Sequence, residues 1–109
     1  MRNEKFWAWF DAGPREKLGG RSSTFAKMFE YLDGLDHAVT IIETGCSRRD
    51  PNDADSWSGD GCSTILFDRY IMERGRGSLI SVDIDPKAVK ICNARLEVGP
   101  PIAGTACSF

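Results

Sequence analysis

Five residues have the types and spacing to do chemistry together: Glu43, Gly45, Gly61, Ser63 and Asp83. Glu43 and Gly45 close the run Val39-Thr-Ile-Ile-Glu-Thr-Gly45, and Asp83 falls late in Leu79-Ile-Ser-Val-Asp83-Ile-Asp-Pro86. A carboxylate at the tip of a second strand can accept both hydrogen bonds of a ribose diol. Glycines at 45, 59 and 61 let main chain approach a ligand where a Cβ would collide. A helix opening near Ser63 presents free N–H groups to a carboxylate or a phosphate. Together they have the make-up of a nucleotide-binding βαβ half, with the ligand beyond the carboxyl ends of the strands.

These residues need elements to hold them. Val39 to Glu43 predicts the first strand, apolar enough to be covered on both faces of a parallel sheet. Ser63 to Arg74 predicts a helix with Ile65, Leu66, Tyr70 and Ile71 inward, ended by Gly75 and Gly77. Leu79 to Asp83 is the second strand. Asp85 caps a further helix to about Leu96 with Pro86 at its first position, and Ile102 to Phe109 opens a third strand. Upstream, Ser22 or Ser23 caps a helix whose buried stripe is Phe25, Met28, Phe29 and Leu32, with Gly34 as terminator. The cluster Phe6, Trp7, Trp9 and Phe10 reads first as the apolar face of a short docked helix. A ligand-capping, membrane-touching or partner-binding surface is the alternative. The expected fold class is α/β: a Rossmann-like parallel sheet with flanking helices, incomplete, in the order αβαβα and then β. Residues 1–36 form an N-terminal helical segment and 37–109 the half-sheet.

Composition narrows the function. The chain has 109 residues, 41% hydrophobic and 28% charged, with a formal net charge of −2. That balance disfavours a general nucleic-acid binder. No run reaches the ~20 apolar residues of a membrane span, and Met1-Arg-Asn-Glu-Lys-Phe-Trp lacks a signal-type apolar core, so a cytoplasmic location is expected. Cys46, Cys62, Cys92 and Cys107 form no Cys-x-x-Cys pair, and the one histidine, His37, is not among them. No metal site is expected. Asp50, Asp53 and Asp55 fail the calcium-loop pattern, since the sixth position from Asp53 is Ser58.

The glycine spacing excludes two nucleotide folds. Gly45 is followed by Cys46-Ser47-Arg48, which breaks the dinucleotide Gly-x-Gly-x-x-Gly, and Gly61-Cys62-Ser63 lacks the lysine of a P-loop. What remains resembles the class I S-adenosylmethionine-dependent methyltransferases. Ile41-Ile42-Glu43-Thr44-Gly45 looks like their first motif, and Ile80-Ser81-Val82-Asp83-Ile84-Asp85-Pro86 like their second. Gly61-Cys62-Ser63 matches the Gly-x-Ser step of the catechol O-methyltransferase-like branch.

The resemblance covers residues 37 to 97 and implies a set of roles. Gly45 and Gly61 would pass beside the methionine part of S-adenosylmethionine. Ser63 would bind its carboxylate, Asp83 its ribose hydroxyls, and Glu43 would orient the loop and the amino group. It also implies methyl transfer by in-line displacement, with the protein supplying alignment. No catalytic residue is assigned: His37 precedes the first strand, and Asp60 is a loop carboxylate. Two departures stand out. Arg49 occupies the place of a further glycine, and an insertion, Arg48 to Trp57, separates Gly45 from the later glycines. That insertion is either a cover for the cofactor or a neutral surface loop. The motifs also account for only the N-terminal portion of such a domain, so a missing C-terminal half or a homo-oligomeric partner is expected to complete the core. The competing function is a non-catalytic Rossmann-like remnant or oligomerising interaction module.

Overall fold

The computed structural model describes residues 2–45, 63–83, 90 and 105–108. Among the described residues there are four α-helices, three of them before any strand. Helix α1 is Glu4–Ala12, α2 is Pro14–Leu18, a 3-10 turn covers Gly19–Arg21, and α3 is Ser22–Asp33. Strand β1, Thr40–Thr44, is followed by α4, Ser63–Arg74, β2, Ser78–Asp83, and β3, Thr105–Ser108. The three strands are parallel, in the order β1-β2-β3. The described chain is therefore a mixed α/β structure built on a parallel sheet. The helix expected from Asp85 and the loop from Arg48 to Trp57 lie outside the described residues.

The first three helices are held by aromatic packing. Phe6 and Phe10, four residues apart, share one face of α1 and are fully buried, with Trp7 beside them. Phe6 lies 4.5 Å from Phe29 of α3 and 5.1 Å from Tyr70 of α4, ring centre to ring centre, and Phe29 stacks on Tyr70 at 5.0 Å. Segment 1–36 thus shares one core with α4 and β2, where Leu66, Ile71 and Leu79 complete it. The aromatic cluster is the inner face of a docked helix. The reading of it as an exposed partner surface is overturned, because Phe6, Trp7 and Phe10 have no free area to offer.

Polar groups close the same core. Asp33 accepts from Trp7 Nε1 at 2.7 Å and from the Tyr70 hydroxyl at 2.6 Å. Burial first, and then the Asp33 carboxylate, push the Tyr70 phenol well above its ordinary pKa. Arg74, in the last turn of α4, donates to the carbonyls of Leu32, Leu35 and His37 at 2.7–2.9 Å. Leu32 is in the last turn of α3 and the other two lie beyond its end, so one guanidinium ties α4 to the chain that leaves α3. Asn3 does not cap α1 with its side chain. Its Nδ2 instead donates to the Tyr70 carbonyl at 3.0 Å.

Three expectations need correction. Met28 is 39% exposed, and Ala26 takes its place in the buried stripe of α3. The face of α3 is set by Phe29 contacting both α1 and α4, which turns Met28 outward. Neither Ser22 nor Ser23 caps α3, because the chain enters it through the 3-10 turn with Arg21 already helical. β1 also departs from the expectation: among the described residues it is covered on one face only. Ile42 is 71% exposed and Ile80 beside it 38%.

The turn between α4 and β2 requires glycine at 77. Its φ is +110°, and a Cβ there would sit 2.6 Å from the Val39 carbonyl and 3.0 Å from Ile71 Cδ1. That close approach seats the start of β2 against β1, where the Ser78 amide donates to Val39 O at 2.9 Å. Register along the whole pair follows from it, including which residues meet at the far tips.

Candidate functional site

The carboxyl ends of β1 and β2 lie side by side. Register pairs Glu43 with Ser81 and Thr44 with Val82, so Gly45 comes next to Asp83. The Gly45 amide donates to Val82 O at 2.7 Å, extending the ladder by one step. There the main chain turns away with φ +82°, a conformation that favours glycine. Among the described residues no atom lies within 4 Å of where a Gly45 Cβ would stand. Asp83 is 5% exposed at the tip of β2.

Glu43 occupies the centre of this end of the molecule. It is 7% exposed, and its carboxylate accepts from three hydroxyls. Ser63 donates to Oε2, Thr64 to Oε1 at 2.5 Å, and Ser81 to Oε1 at 2.7 Å. Ser63 and Thr64 begin α4, while Ser81 belongs to β2. One buried side chain of β1 thus ties the first turn of the crossover helix to the neighbouring strand. A carboxylate at a helix N-terminus also sits at the favourable end of the helix dipole.

The structure therefore brings Glu43, Gly45, Ser63 and Asp83 to one end of the sheet. Gly61 lies outside the described residues, as does Asp60. Ser63 is at the start of α4, but its hydroxyl is held by Glu43. The part of Ser63 left to meet a ligand is its main-chain N–H in the first turn. His37 is exposed at the opposite end of β1, with Nδ1 bonded to Ala38 O at 2.9 Å.

Thr64, Ser81 and Asp68 are the residues that sequence reasoning missed. Thr64 and Ser81 have no exposed surface. The signal for Thr64 and Ser81 was present: hydroxyl residues at inward positions of a helix and a strand need an acceptor, and Glu43 is an acid on the neighbouring strand. Asp68 lies one turn beyond Thr64 on α4. It is 9% exposed, and its Oδ1 has no hydrogen-bond partner among the described residues.

Burial pushes the Asp68 carboxyl up from 3.8 to about 6. An acid whose pKa is raised by folding binds its proton more tightly in the native state. Its penalty is absent below about 3.8, grows as pH climbs toward 6, and is constant above that. Asp68→Asn keeps the size and removes the charge. It is expected to raise the unfolding free energy at pH 7.5, by up to roughly 2 kcal/mol, and to change it little at pH 4. Unfolding titrations of both proteins across pH 4–8 check this; parallel curves would refute it.

A separate cavity of about 550 Å³ opens at the other end of the molecule, among Arg2, Lys5, Asp36, Glu73 and Arg76. Cations and carboxylates are balanced there, and it shares no residue with the strand tips. Among the described residues, no helix is long and apolar enough to cross a membrane, and no three His, Cys, Asp or Glu side chains group as a metal site. Comparison with protein-family models, curated proteins and solved structures finds no match to this chain.

Proposed function

We propose that this chain is the cofactor-binding portion of an S-adenosylmethionine-dependent methyltransferase, built on the first half of a Rossmann-like sheet. The observation that carries the reading is the pairing of Gly45 with Asp83. A left-handed glycine turn and a strand-tip carboxylate stand side by side at the carboxyl end of a parallel sheet. The cofactor supplies a methyl group activated by a sulfonium. The residues of this chain bind and orient it. Asp83 accepts from the ribose hydroxyls, Gly45 gives the methionine part room against bare main chain, and the first N–H groups of α4 take its carboxylate. Glu43 acts through others: it fixes the Gly45 turn against α4 and β2.

The test is calorimetric titration of the folded protein with S-adenosylhomocysteine, beside Asp83→Ala. Losing a charge-assisted diol contact is expected to weaken binding ~10- to 100-fold, with the circular dichroism spectrum unchanged. A folded wild-type chain that shows no heat at millimolar ligand rejects the proposal.

One observation favours the second reading, a non-catalytic α/β interaction module. The Ser63 hydroxyl, which the family pattern would spend on ligand, is spent on Glu43. That reading predicts no binding and identical titrations for wild type and Asp83→Ala.

A further inference from the structure

Among the described residues one edge of β1 pairs with no strand, and the parity of its main chain says which residues face that edge. Val39 O accepts from Ser78 N, and Gly45 N donates to Val82 O, so the odd-numbered residues turn their polar groups toward β2. Main-chain direction alternates along a strand. Thr40, Ile42 and Thr44 therefore point their N–H and C=O groups away from β2. Among the described residues β1 pairs with no other strand.

The same three residues carry the uncovered face. Thr40, Ile42 and Thr44 are exposed, while Glu43 is turned inward to its hydroxyls. Thr-x-Ile-x-Thr reads the same in both directions. A two-fold axis through Ile42 would set Ile42 against its own copy and each Thr40 against a Thr44. All three pairs would be of the type that exchanges both main-chain hydrogen bonds. The side chains meet as one aliphatic pair and two threonine pairs, both favourable across antiparallel strands. No charged side chain stands on this face of β1, so no like charges oppose each other. Ile80, register partner of Ile42 on β2, extends the row to four isoleucines across the joined sheets.

We propose that β1 is a self-association edge, through which two copies of this chain join antiparallel about Ile42 into one continuous sheet. The occupant is a second copy because the edge is uncharged and self-complementary in both main chain and side chain. A five-residue edge buries less than the ~1,600 Å² of a standard interface. Association is therefore expected to be weak and to depend on concentration. The proposal is independent of cofactor binding.

Sedimentation velocity from 10 μM to 1 mM tests it, on wild type, Ile42→Pro, Ile42→Lys and Ile80→Lys. Proline at 42 removes an N–H from the edge that faces away from β2 and none from the β1–β2 ladder. Lysine at 42 sets like charges on the axis. Both are expected to shift the dimer midpoint at least tenfold upward, and lysine answers the question if proline disturbs folding. Ile80→Lys is expected to leave a dimer with a midpoint within about threefold of wild type. Protection of the Ile42 amide from exchange should rise with wild-type concentration. A wild type that stays monomeric at 1 mM overturns the proposal. So does a dimer indifferent to both changes at 42, or one abolished by Ile80→Lys, which would mean packing through the sheet face.

Discussion

Replacing Phe6 with alanine is expected to lower the stability of this protein by about 3–5 kcal/mol, the range for truncating a fully buried aromatic ring. Phe6 is 0% exposed and touches rings from three helices: Phe10 on its own, Phe29 on α3 and Tyr70 on α4. Phe29 and Tyr70 are already stacked on each other, which limits how far they can collapse into the void. A domain of this size has roughly 5–15 kcal/mol in total. The variant should therefore melt at least ~15 °C lower, or be unfolded at room temperature. Phe6→Leu, which retains most of the volume, should lose less than half as much. Urea unfolding followed by tryptophan fluorescence reads both. A Phe6→Ala midpoint within error of wild type would mean that α1 is not docked as described, and that the core is carried by α3, α4 and the sheet alone.

How far the sequence disclosed this arrangement depended on the range of the forces involved. α4 was legible to the residue, since Ser63 opens it and Arg74-Gly75 closes it through local signals. β1 and β2 were legible from their β-branched runs, and their parallel pairing followed from the helix between them. The inward face of α3 was only partly legible. Spacing offered Met28, whereas contact with two other helices chose Ala26. Asp33, which carried no signal in the sequence, accepts from Trp7 and Tyr70, 26 and 37 residues away. No local pattern encodes such partners. The meeting of Glu43, Gly45, Ser63 and Asp83 at one end of the sheet followed from the parallel pairing and the helix between the strands. That the Ser63 hydroxyl turns to Glu43 was not encoded, because each of the two side chains could have been turned either way.

Glu43 should prove to be the polar counterpart of Phe6. Its carboxylate is the common acceptor of Ser63, Thr64 and Ser81, which belong to α4 and β2. In Glu43→Ala the Ser81 hydroxyl, at 0% exposure, loses its partner, Thr64 loses the carboxylate, and a void opens between strand and helix. An orphaned buried hydroxyl costs about 1–3 kcal/mol, so a total loss of about 3–4 kcal/mol is expected. Glu43→Gln fills the space but turns one acceptor into a donor that faces a donating hydroxyl, and should cost about half as much. Ser81→Ala removes one donor from an acceptor that keeps two others, and should cost only about 1 kcal/mol. The effects must not add. Once Glu43 is alanine, Ser81→Ala removes an unpartnered hydroxyl and should be neutral or stabilising, giving a coupling near 1–2 kcal/mol in a double-mutant cycle. Additive losses would show that these hydroxyls do not share one carboxylate. The tip of β1, and with it the Gly45 turn beside Asp83, would then be held by something other than Glu43.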